Sequence, residues 1–144
     1  MKEESMPDFI IIDDDSINNL ICLKIIKQTI PGACVETFTD PEKGLAHILS
    51  SYSAGYAGNA VLFLDINMPF LSGWEVLGII AEFPSLVKER LKIFMLSSSV
   101  DPKDKEKAGN NPLISGYITK SLSVAKFQSV FPDYEKHGLI KVKS

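Results

Sequence analysis

The sequence predicts an α/β protein, a doubly wound five-stranded parallel sheet with helices on both faces. Three observations predict it. Short, continuous, apolar runs recur at Phe9–Ile12, Val61–Leu64 and Ile93–Leu96, the pattern of strands covered on both sides. Between them lie amphipathic segments bounded by helix start and stop signals. The two alternate through the chain, which calls for parallel strands joined by helical crossovers.

Residues 1–7 are polar, end in Pro7, and are expected to form a flexible lead. The first strand, Phe9–Ile12, runs into Asp13, Asp14 and Asp15. Ser16 is positioned to cap the first helix, in which Ile17, Leu20, Ile21 and Ile25 share a face with Lys24 and Gln28. Pro31-Gly32 ends that helix. Ala33–Phe38 alternates as a second strand. Asp40-Pro41-Glu42 then starts a helix reaching about Leu49, with a capping acid, a first-turn Pro and an acid near the positive dipole end. Residues 50–59 are small and polar and form a loop. The central strand ends on Asp65, and a turn through Pro69 leads to a helix from about Gly73 to Phe83, with Trp74, Leu77, Ile80 and Ala81 inward. Pro84 stops it, and a short helical turn is expected over Leu86–Arg90. The fourth strand, Ile93–Leu96, exits at Ser97-Ser98-Ser99. Asp101-Pro102 opens a lysine-rich helix that fades at Gly109-Asn110. The fifth strand, Ile114–Thr119, ends at Lys120. Ser123 caps a last helix to about Phe131.

Composition sets the outer bounds. A chain of 144 residues, 45% hydrophobic and 23% charged, is that of one ordinary globular domain. A formal charge of -3 with no basic, aromatic-interleaved stripe argues against a nucleic-acid partner. No apolar run approaches the length of a membrane span, and no signal peptide opens the chain, so a cytoplasmic location is expected. Cys22 and Cys34 read as small buried hydrophobes, and neither His47 nor His137 has ligand-spaced neighbours for zinc.

The chemistry lies where the strands stop. Asp13-Asp14, Asp65, Ser97 and Lys120 each follow an apolar strand, and parallel strand ends share one edge of the sheet. Clustered carboxylates repel and raise one another's pKa, which a divalent cation relieves; an all-oxygen donor set suits Mg2+. Lys120 supplies a point charge for Asp65 or a phosphate oxygen, and the Ser97 hydroxyl a hydrogen bond. A carboxylate so surrounded is equipped to accept a phosphoryl group.

Over residues 8–131 the chain resembles the receiver domain of two-component response regulators, of the stand-alone, chemotaxis-like type with a flavodoxin-like fold. The matching motifs are Ile-Ile-Asp13-Asp14-Asp15, Leu-Asp65-Ile-Asn67-Met68-Pro69, Ser72-Gly73, Met-Leu-Ser97-Ser98-Ser99 and Gly116-Tyr117-Ile-Thr-Lys120. The resemblance implies a signalling phosphoacceptor, not an enzyme. Asp65 would be phosphorylated by a sensor histidine kinase or histidine phosphotransfer protein. Asp14, Asp65 and the Asn67 carbonyl would bind Mg2+, with Asp13 assisting through water. Ser97, Ser98 and Lys120 would contact the phosphoryl group. Ser97 and Tyr117 would form the switch that alters a surface read by a downstream target, with Asn67 and Ser99 at positions that tune the phosphoryl lifetime. One departure stands out: the family's usual Pro after the Lys is Ser121 here. The tail, residues 132–144, is too short for an output domain.

Two other readings compete. Asp13-Asp14-Asp15 also resembles the start of haloacid-dehalogenase-type phosphatases, with Asp13 as nucleophile and Asp15 as general acid, a scheme that leaves Asp65 without a role. The chain could also be a degenerate receiver that only binds a partner.

Overall fold

The computed structural model describes residues 6–54, 58–98 and 101–131. Its strands are β1 (Asp8–Ile12), β2 (Val35–Phe38), β3 (Ala60–Asp65), β4 (Leu91–Ser97) and β5 (Ile114–Thr119). They form one parallel sheet in the order β2-β1-β3-β4-β5. The chain starts near the middle, steps outward to β2, then crosses back to β3. The winding therefore reverses between β1 and β3, the crevice where open α/β sheets carry their sites.

The helices are α1 (Ser16–Thr29), α2 (Pro41–Ser51), α3 (Gly73–Ala81), α4 (Ser85–Glu89), α5 (Pro102–Gly109) and α6 (Val124–Val130). Strand side chains alternate between two cores. Ile10, Ile12, Leu62 and Leu64 pack with Leu45, Ile48, Val76, Ile80, Val87 and Ala108, on the face covered by α2 to α5. Phe9, Ile11 and Phe63 pack with Cys22, Ile26 and Phe127 under α1 and α6. Phe9, Phe63, Phe94, Phe127 and Phe131 make ring contacts there at centroid distances of 5.2–6.3 Å.

Side-chain caps fix where several helices begin. The carboxylates of Asp40 and Asp101 accept from the N–H groups of Glu42 and Lys103, Ser72 forms a capping box with Glu75, and Ser123 accepts from Lys126 N–H. Gly73 and Gly116 permit close approaches. A Cβ on Gly73 would lie 2.5 Å from the Asp65 carbonyl oxygen, so the start of α3 rests directly on the end of β3. One on Gly116 would lie 2.8 Å from the Phe94 ring, beside the register shift between Ile93 and Phe94 that pairs Phe94 with Gly116.

Several elements depart from what the sequence predicts. Asp15, not Ser16, caps α1, because the helix starts one residue earlier than expected and Ser16 is its first turn. The face of α1 built around Ile17 and Leu20 does not turn inward: they are 68% and 51% exposed, while Asn18, Asn19, Cys22 and Ile26 are buried. In α3, Val76 is buried and Ala81 exposed, and Trp74 is partly buried against the core. Strand β2 starts at Val35, two residues later than expected, and Cys34 is exposed. Ser99, residues 1–5 and the tail from residue 132 lie outside the described residues.

Candidate phosphoacceptor site

Asp13 follows β1, and its N–H is held by the Phe38 carbonyl at 3.0 Å. Its side chain is fully buried, and an ionised carboxylate there requires donors. They are supplied locally: the Asp15 N–H reaches Oδ1 at 2.9 Å and the Asn18 amide reaches Oδ2 at 2.7 Å. The Asn19 amide donates to the Asp13 backbone carbonyl at 3.0 Å and to that of Phe38 at 3.4 Å. Burial of Asn18 thus follows from the acid it serves, and that of Asn19 from the two strand-end carbonyls it reaches. Asp15 turns away, its Oδ1 accepting from Ile17 N–H at 2.9 Å as the cap. Asp14 is exposed.

Asp65 closes β3 and is 3% exposed. Its Oδ1 accepts from Asn67 N–H at 3.3 Å and lies 3.1 Å from Lys120 Nζ. The same ammonium is 2.8 Å from Asp13 Oδ2, so Lys120 bridges the two buried acids. Burial pushes the Asp65 carboxyl up to about 7 from 3.8, the Asp13 charge adds to the push, and Lys120 opposes it. Burial pulls the Lys120 ammonium down, but Asp13 and Asp65 outweigh it, and its pKa lies above the ordinary lysine value.

Asp13, Asp14 and Asp65 each offer an oxygen, all within 4.8 Å of one another. Three hard donors at that spacing, exceeding the charge of one nearby ammonium, could hold a metal ion. Ser97, the last residue of β4, is fully buried, and its carbonyl accepts from Lys120 N–H at 2.8 Å. Ser98 is exposed just beyond it. Tyr117, paired with Met95 in the ladder, is partly buried against the core on the α2–α5 face. The Lys120–Ser121 peptide is cis. The strand ends therefore gather the acids, Lys120 and Ser97 at one edge, with Asn67 tied to Asp65. Sequence reasoning missed Asn18 and Asn19. Their signal was two adjacent amides one turn beyond the acids, where apolar periodicity alone counts them as outward-facing.

A parallel sheet reversing at β1/β3, with acids and a lysine at its carboxyl edge, defines a receiver-type signalling fold. The chain matches the response regulator receiver domain family over residues 9–131 and belongs to that family. It is similar to a two-component response regulator from Cytophaga hutchinsonii, with a TM-score of 0.80 and 26% identity, covering 90% of this chain and 97% of that one. It is equally similar to a response regulator receiver protein from Dyadobacter fermentans, with a TM-score of 0.80, 27% identity, and coverage of 90% and 98%. Stress response regulator protein 1 of Meyerozyma guilliermondii is 31% identical over 96 residues, 67% of this chain. The chain spans only 41% of that relative's length.

Proposed function

We propose that Asp65 accepts a phosphoryl group from the phosphohistidine of a sensor histidine kinase or histidine phosphotransfer protein, and that this switches a surface read by a downstream protein. One observation carries the reading: the Asp65 carboxylate closes a buried strand with a bridging lysine 3.1 Å away and two further acids within 4.8 Å. In the step, an Asp65 oxygen bonds to phosphorus as the phosphorus–nitrogen bond to the donor imidazole breaks. Asp65 must be ionised to attack, and Lys120 favours that form against the burial and the Asp13 charge that oppose it. Residues 8–131 are the receiver unit.

Asp14, Asp65 and the Asn67 carbonyl would hold Mg2+, which would offset charge on the transferring oxygens. Asp13 would act through water, since both its oxygens already accept from Asp15, Asn18 and Lys120. Lys120, Ser97 and Ser98 would receive the phosphoryl oxygens. Drawing the Ser97 hydroxyl toward them would shift the population of Tyr117 and of the α5–β5–α6 surface. The phosphatase reading is disfavoured by the same contacts: Asp13 is fully buried and Asp15 is spent capping α1. Among the described residues no helix is long and apolar enough to cross a membrane.

The test is labelling by acetyl phosphate or a phosphohistidine donor with Mg2+, read by intact mass. Wild type gains one phosphoryl group and Asp65→Asn none; an equally labelled D65N protein overturns the assignment.

A further inference from the structure

The Lys120 side chain has to carry one ammonium to two carboxylates, Asp13 Oδ2 at 2.8 Å and Asp65 Oδ1 at 3.1 Å. A lysine stem is long and rich in rotamers, so its reach depends on how firmly its own backbone is held. On one side that backbone is anchored by the sheet: Thr119 pairs with Ser97, and Lys120 N–H donates to the Ser97 carbonyl at 2.8 Å. Beyond it the ladder ends, and Ser121–Ser123 connect to α6 without regular structure.

A second lysine holds this segment. Lys126 Nζ donates to the Thr119 carbonyl at 2.7 Å and the Ser121 carbonyl at 3.1 Å, the two carbonyls flanking residue 120. Lys126 is itself fixed, since its N–H is capped by Ser123 Oγ at 3.1 Å in the first turn of α6. Among the described residues it forms no ion pair, so its ammonium is committed to these carbonyls. Charge-assisted hydrogen bonds are the stronger kind, and two from one donor fix an angle as well as a distance.

We propose that Lys126 is a positioning residue for phosphoryl acceptance: it clamps the backbone on both sides of Lys120 and so aims the Lys120 ammonium at Asp13 and Asp65. The inference rests on the reading of Asp65 as acceptor. It links α6 to the phosphoacceptor site through a contact that the site residues themselves do not include.

The test is a double-mutant cycle on the acetyl phosphate labelling rate with Mg2+ present. Lys126→Met should slow labelling about tenfold, the equivalent of one lost charge-assisted hydrogen bond. In a Lys120→Met background the same change should have almost no further effect, because the clamp acts through Lys120. K126R, which keeps two donors, should restore most of the rate. A general loss of fold would slow both backgrounds alike. Rates are therefore compared at a temperature where every variant is folded by circular dichroism, with K126Q run in parallel should K126M unfold. Wild-type labelling by both K126M and K126Q, or a slowing that persists undiminished in the K120M background, overturns the proposal. D65N run alongside separates the two levels: its labelling would overturn the acceptor reading, whereas its silence beside a wild-type K126M rate removes the clamp alone.

Discussion

The corner where β1 turns into α1 and the helix α5 that follows β4 differ in construction. The first is wired by side chains. Asp13 is held by Asp15, Asn18 and Lys120, its backbone by Asn19, and the 14-residue α1 buries four residues. The second buries little. Helix α5 reads Pro-Lys-Asp-Lys-Glu-Lys-Ala-Gly, buries only Ala108, and rests Lys107 over the Trp74 ring at 4.5 Å. A buried carboxylate needs a fixed set of donors, whereas under the proposed switch an element that reports a charge change must be displaced at small cost.

The largest expected effect concerns the acid pair that the first corner holds together. An acid whose folded pKa lies above its unfolded value takes up protons on folding. Its contribution to stability therefore falls as pH rises from 3.8 to about 7 and is flat above that. In metal-free buffer D65N should remove this loss, and its advantage over wild type should grow across that window to on the order of 3–4 kcal/mol at pH 8. Urea unfolding at pH 4, 6 and 8 measures it, and an advantage independent of pH would contradict the raised Asp65 value.

Asn18→Ala comes next. It strips a donor from a fully buried carboxylate and should cost about 1–3 kcal/mol in the same experiment. A cost near zero would erase the contrast between this corner and α5. In the last turn of α5, Lys107→Ala should cost only about 0.5–1 kcal/mol and change the fluorescence of Trp74, the single tryptophan. If K107A destabilises the protein as much as N18A does, α5 is not the weakly held element.

Much of this was legible in the sequence, for identifiable reasons. A strand covered on both faces must be apolar throughout, so Asp13, Asp65 and Ser97 declare its end by interrupting it, whereas Lys120 follows the partly buried edge strand β5. The caps at Asp40, Asp101 and Ser123 could be read because a side-chain acceptor before a helix has few other uses. The inward face of α1 was not legible. Periodicity counts apolar residues, and there the interior demanded amides because of a charge on another element, leaving Ile17 and Leu20 outside. The Lys126 clamp was hidden for a similar reason: nothing local distinguishes it from a solvated lysine until the loop folds back over it.

The phosphoacceptor site and the response of α5 are tested together by an amide NMR titration of the protein with beryllofluoride, a phosphoryl mimic, in the presence of Mg2+. Stoichiometric binding that requires Asp65 is expected. The large shifts should fall at Ser97, Ser98, Tyr117, Lys120 and along α5, while α1 beyond Asn19 stays nearly still. Shifts as large in α1 as in α5, or no response at saturating beryllofluoride, would contradict this expectation.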